Sequence, residues 1–174
     1  MIQDSRSKIQ EGGQLLIEAA VAISIFTVGV LGMVNLLNRS LGLNVVVTSQ
    51  YIGSNLAMEG VEIVKNLIDS NIMGGRPWNE GMANTGEYEV EYNTMSLTAY
   101  SARKIKIDSA TGLYNYSTGK DTNFTRKIQI QNICNPDCDE IKVNSIVSWK
   151  IKGGSHEINA EDHFFNWRKI NPAP

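Results

Sequence analysis

"EGGQLLIEAAVAISIFTVGVLG", residues 11–32, decides how the chain is to be read. It overlaps a run of twenty uncharged residues, 19–38, bounded by Glu18 and Arg39. As a helix that run is about 30 Å long, the thickness of a bilayer's hydrocarbon core. It is rich in Ala, Val, Ile, Leu and Phe, includes Gly29 and Gly32, and has no proline, so an unbroken membrane-compatible helix is the simplest reading. The carboxylate of Glu18 at its mouth needs a reason, because an ionised carboxylate costs roughly 2.5–3.5 kcal/mol at the centre of a membrane and less near its edge.

Three explanations compete. A secretory signal peptide has a shorter apolar core and ends in a small-residue cleavage site, whereas this run leads straight into more helix-like sequence. A plain signal-anchor accounts for the length but has no use for Glu18. The third explanation places a cut before Glu18. Residues 1–13, "MIQDSRSKIQEGG", are polar, contain Arg6 and Lys8 and end in a glycine pair, within reach of a protease at the cytoplasmic face. Cutting after Gly13 makes Gln14 the N-terminus and sets its α-amine, positive below a pKa of about 8, one helical turn from Glu18.

These residues resemble the N-terminal signature of type IV pilins and the related type II secretion pseudopilins. Gly13, Leu16, Ile17 and Glu18 match in register a short leader, a glycine before the cut, and a glutamate at the fifth mature position of an apolar helix. The portion "SIFTVGVLG" is most similar to minor pilins of the V class. Gln14 departs from the family's usual phenylalanine, and a cut after Gly12 would break the register. The resemblance implies a prepilin peptidase acting after Gly13, N-methylation of the new terminus, and a role for Glu18 in filament assembly through the α-amine of an adjacent subunit. It also implies the type IV pilin fold, an α+β architecture with one long N-terminal helix packed on a C-terminal antiparallel β-sheet domain. For Gly29 and Gly32 two readings stay open: close helix packing, as small residues permit in membranes, or loss of helical structure in the filament, which the resemblance implies for a neighbouring region.

The expected organisation is a leader over 1–13, a transmembrane and filament-core helix half over 14–38, an amphipathic half over 39–71 and a globular β-sheet domain over 72–174. Ile52, Leu56, Val61, Val64 and Leu67 recur at intervals of three to five with Asn55, Glu59, Glu62 and Lys65 between them, which predicts one helix from about Leu15 to Ile68. The poor helix formers Asp69, Ser70 and Asn71 and the breakers Gly74, Gly75 and Pro77 end it. Strands are predicted near Tyr88–Tyr92, Lys104–Ile107, Thr122–Gln131, Ile141–Lys150 and His156–Trp167, with a short one around Tyr114, giving a helix laid on a meandering sheet. Arg126 shares a strand face with Phe124, Ile128 and Ile130; an edge position in water and a packed ion pair are both open.

At 174 residues and a net charge of −2 the chain has room for one globular domain beside the apolar run and no general electrostatic reason to bind nucleic acid. Cys134 and Cys138 flank a turn at Asn135-Pro136-Asp137; in a domain displayed outside the cytoplasm a disulfide is expected, worth roughly 2 kcal/mol for so small a loop. His156 and His163 lie too far downstream to complete a metal site with them, so no metal is expected. No catalytic residues are indicated: "STGKDT" lacks the glycine spacing of a phosphate loop, and Glu87/Glu89 and Glu161/Asp162 read as solvated charges. Trp149 and Trp167 read as core or sheet-face residues. No enzyme activity and no cofactor are expected.

Two functions from different classes follow. One is a structural subunit, of the minor kind, of a type IV pilus or related pseudopilus, held first in the inner membrane as a single-pass precursor and then assembled into an extracellular or periplasmic filament. Its partners would be other pilin subunits, the prepilin peptidase, the pilus assembly machinery and, before assembly, membrane lipid. The other is a membrane-anchored extracytoplasmic binding or sensory domain that does not polymerise.

Overall fold

The computed structural model describes residues 2–82, 85–134, 139–151 and 153–167, with the backbone alone for 2–12. Two compact units divide it, Met1–Val47 and Thr48–Pro174. The architecture is α+β as expected. One long helix, α1 (Ile2–Met73), has its last part, from Thr48 on, packed against an antiparallel sheet within the second unit. The helix begins earlier and ends later than the predicted Leu15–Ile68. It continues through Asp69, Ser70 and Asn71 because Ile68, Asn71 and Ile72 still meet the domain. The end is a Schellman motif: the Arg76 amide donates to Asn71 O (2.9 Å), the Gly75 amide to Ile72 O (3.1 Å), and Gly75 takes the left-handed backbone (φ 67) that the motif requires. The side-chain amide of Asn71 then pins the following turn through Trp78 O and Glu80 O.

The strands are β1 (Gly86–Glu89), β2 (Thr98–Ala99), β3 (Lys104–Ile107), β4 (Tyr114–Asn115), β5 (Lys120–Ile133), β6 (Glu140–Ile151) and β7 (Gly154–Phe165). The predicted strand at Tyr88–Tyr92 instead stops at Glu89, since Glu91–Thr94 forms a turn closed by the Thr94 amide on Glu91 O. The sheet meanders only through β5, β6 and β7. On its other edge β5 carries two short strands end to end, β3 beside its first half and β1 beside its second, and these carry β4 and β2.

Small residues bring the helix close to the sheet. A Cβ on Gly53 would lie 2.7 Å from the Trp149 ring, and one on Gly60 would lie 2.3 Å from the Ser145 hydroxyl and 2.8 Å from Ile128 Cδ1. Ala57, one turn after Gly53, is fully buried. The apolar core is in two clusters. One joins Leu56 and Ala57 to Ile105, Tyr116, Phe124, Val147 and Trp149. The other joins Ile63, Val64 and Ile68 to Trp78, Met82, Val90, Ile128, Ile130, Ile141 and Val143.

Between them, in the alternation Phe124, Arg126, Ile128 of β5, lies a buried guanidinium. Arg126 is 1% exposed. It donates to Leu56 O (3.0 Å) and to Val90 O (2.6 Å), and sits 3.4 Å from Glu59 Oε2. It is therefore a packed ion pair and not an edge residue in water. Its Nε has no partner among the described residues.

A second buried charge corrects the reading of Glu89 as solvated: it is 1% exposed. Its carboxylate accepts from the Ser101 amide (2.9 Å), the Arg103 amide (3.1 Å) and Arg103 Nε (2.7 Å), across a turn where Ala102 has φ 58. Burial works to raise its pKa, but the Ser101 and Arg103 donors outweigh it and the carboxyl titrates below its ordinary range. Trp149 is in the core as expected, 3% exposed, whereas Trp167 lies past the end of β7 and is 74% exposed.

Two consequences can be measured. Gly60→Val should lower stability by about 2 kcal/mol, the cost of overpacking, in urea unfolding of the chain in non-ionic detergent; an unchanged midpoint would contradict the close helix–sheet approach. Because the folded pKa of Glu89 is depressed, its contribution is complete above the unfolded value of about 4.3 and is lost as pH falls through the folded one. Glu89→Gln should then destabilise the protein at pH 7 and flatten its loss of stability between about pH 5 and pH 3. A parallel pH profile for variant and parent would contradict this.

Candidate functional site

The apolar segment of α1 places every processing and assembly residue read from the sequence on one continuous helix. Gly13, Gln14 and Glu18 all lie on it and are exposed, with Glu18 one helical turn beyond Gln14. No residue from Gly13 to Leu41 is buried; Leu16, Phe26 and Val28 are each more than 70% exposed. Over Gly13–Met73 one helix is long and apolar enough to cross a membrane, with a mean hydropathy of 2.2 in its most apolar window. A folded soluble surface does not leave so many adjacent large apolar side chains uncovered; a patch of this extent marks a surface that meets lipid or protein.

The two hydroxyls inside this surface, between Glu18 and Arg39, are internally satisfied. The Ser24 hydroxyl donates to Ala20 O (2.7 Å), and that of Thr27 to Ile23 O (2.8 Å), with Ser24 O also 2.9 Å away. Such bonds to the preceding turn remove the penalty that an unpaired hydroxyl would carry in an apolar medium. Among the described residues Asn35 and Asn38 make no such bond, and Glu18 is the one charged residue between Gly13 and Arg39.

Gly29 and Gly32 leave open notches in the helix surface: a Cβ at either position would meet nothing within 4 Å. The helix passes through both without interruption.

The expected Cys134–Cys138 disulfide falls partly on residues 135–138, outside the described residues; among the described residues no cysteine is free. No cluster of three or more His, Cys, Asp or Glu suited to a metal ion occurs among the described residues. The polar pairs on the open face of the sheet are structural: Lys127 with Glu87 (2.9 Å), Lys142 with Glu161 (2.7 Å), and His163 between Glu140 and Glu161. The hydrogen bond to Glu140 is the largest influence on His163 and raises its pKa above the ordinary histidine value.

Sequence reasoning missed the small-residue stripe Gly53, Ala57, Gly60, although its spacing of four and three on an amphipathic helix is a visible sign of close packing. It also missed the buried Glu89, whose partners follow it by 12 and 14 residues and could not be paired with it by spacing. Comparison with known protein families, characterised proteins and solved structures finds no match.

Proposed function

We propose that the chain is a structural subunit, of the minor kind, of a type IV pilus or related pseudopilus. It is inserted in the inner membrane as a prepilin, cleaved after Gly13 and assembled through its N-terminal helix. The observation that carries this reading is the conjunction on one helix of Gly13, Gln14 and Glu18 in prepilin register with an apolar surface left uncovered from Leu15 to Leu41. The α+β domain formed around the later part of the same helix agrees with it. Catalysis is no part of the proposal. Other pilin subunits, the prepilin peptidase, the assembly machinery and membrane lipid are the partners it requires, and a Cys134–Cys138 bridge belongs to the displayed domain.

The deciding measurement is the mass of the chain extracted from membranes, which should correspond to an N-terminus at Gln14. A chain that keeps residues 1–13 would favour a membrane-anchored binding or sensory domain that does not polymerise.

In a filament Glu18 is buried among apolar helices, where removing the partner of a charge commonly costs 3–5 kcal/mol. The α-amine of a neighbouring subunit is the group that compensates it. Glu18→Ala should still insert and still be cut after Gly13, yet be several-fold depleted from sheared filaments at matched expression. Incorporation equal to that of the parent would rule out the assembly role.

A further inference from the structure

The strand register assembles a second surface, independent of the apolar helix, on the open face of the sheet. Lys104 of β3 pairs with Thr125 of β5, Thr125 with Ser148 of β6, and Ser148 with Glu157 of β7. These four form a row across four strands, about 14 Å from end to end at the usual spacing of strands. One row further along, Lys150 of β6 pairs with Ser155 of β7. Both rows line one pocket of about 660 Å³, within the roughly 300–1,000 Å³ of small-ligand sites.

The charges of this pocket differ from those of the rest of the face. Lys127 and Lys142 are each held by a glutamate. Lys104 and Lys150 are exposed, and among the described residues neither has an acidic partner or a hydrogen bond. Glu157, at the far end of the row from Lys104, accepts a hydrogen bond from the Ser148 hydroxyl (3.0 Å) and keeps free acceptor capacity. The hydroxyl of Ser155 lies beside Lys150. Lys104 stands at one end of the row and Lys150 near the other, on the strand next to Glu157, with hydroxyls between them, which suits an elongated ligand that carries an anionic group toward each end and hydroxyl groups along its length.

We infer that the pocket formed by Lys104, Lys150, Ser155 and Glu157 binds an acidic oligosaccharide, one carboxylate on each lysine and its hydroxyls on Glu157 and Ser155. The footprint is that of a short oligosaccharide. A nucleic acid fits poorly: Glu157 would repel its phosphates, and among the described lining residues there are two lysines, few for a polyanion, and no open ring for base stacking. The aromatic rings in the lining, Trp149 and His156, are stacked on each other with centroids 5.7 Å apart, and Trp149 is in the core. An apolar peptide finds no anchor among these side chains.

The test is calorimetric titration of the full chain in non-ionic detergent micelles with digalacturonic acid, its neutral methyl ester, succinate and a short DNA duplex. The uronide should bind, and the ester and succinate should each bind about tenfold more weakly, the scale of one charge-assisted hydrogen bond. Lys104→Gln and Lys150→Gln should each weaken the uronide about tenfold. Lys127→Gln, outside the pocket, should leave it unchanged. Glu157→Gln should weaken it as well, because a carboxylate acceptor for sugar hydroxyls is lost. All four side chains lie on the sheet's open face, away from the core, so the variants should keep the parent's circular dichroism; a variant that does not is replaced by the corresponding alanine. Any of four results would overturn the inference: no uronide binding at millimolar concentration, equal binding of the ester, indifference to both pocket lysines, or tighter binding of the duplex. Stronger binding by Glu157→Gln would do the same, since it would make the pocket a bare anion site.

Discussion

The domain is organised around a cation that has no route to water. Arg126 occupies the seam between two apolar clusters and is bonded at once to the helix, through Leu56 O and Glu59, and to the segment after β1, through Val90 O. A guanidinium so placed is tolerable only when its partners are all present, because an unpaired buried charge costs several kcal/mol. Helix, central strand and the β1 segment must therefore arrive together. Gly60 belongs to the same constraint: the helix can approach Arg126 and Ser145 because no side chain stands between, the Arg126 Cδ being 3.2 Å from where a Cβ would be. Replacing this arrangement by an apolar seam would be cheaper in solvation, but it would not dictate which carbonyls of the helix face the sheet.

The rest of the second unit is arranged on that seam. β5 is long enough to be shared lengthwise by β3 and β1 on one edge while β6 runs beside it on the other, so the short strands take their positions from it. Glu89 fixes the end of β1 to the Ser101–Arg103 turn, and Arg103 in turn covers the Tyr116 ring, 4.7 Å from its centroid. The face turned toward the helix is apolar apart from the seam. The open face is polar and mostly charge-paired, and its uncompensated lysines stand out for that reason. The first unit shows no comparable internal constraint among the described residues: from Gly13 to Leu41 none of its side chains is buried.

Much of this was legible in the sequence. The apolar run, its length, the helix–sheet division and β3 follow from composition and period, since a two-residue alternation and a three-to-four-residue one are distinct even without neighbours. The position of Glu18 relative to Gly13 is likewise a matter of counting. What could not be read are features that depend on pairing across the chain. Arg126 meets Leu56 and Val90 at separations of 70 and 36 residues, and nothing local distinguishes it from an arginine at a sheet edge. Glu89 looks like its neighbour Glu87, and alternation puts both on the same side of β1, yet Glu89 is buried and Glu87 exposed, because the turn at Ser101 covers Glu89 alone. Lys104 and Lys150 become neighbours of a common pocket only through the register of three strand pairs. Local periodicity is short-ranged information, and the seam and the pocket are long-ranged facts.

The back-bonded hydroxyls of Ser24 and Thr27 have a bearing on how the first unit relates to its surroundings. A helix whose backbone and hydroxyls are satisfied internally has, over those turns, nearly the same solvation free energy in any apolar medium, whether the neighbours are acyl chains or other side chains. Its partition between two such media is close to neutral along most of its length. The choice between them is then governed by shape, through the notches at Gly29 and Gly32, and by the single ionisable group near its start. Such a segment is portable: it can change its apolar environment without first breaking its hydroxyl hydrogen bonds, and the electrostatic work of the exchange is concentrated in one turn of helix.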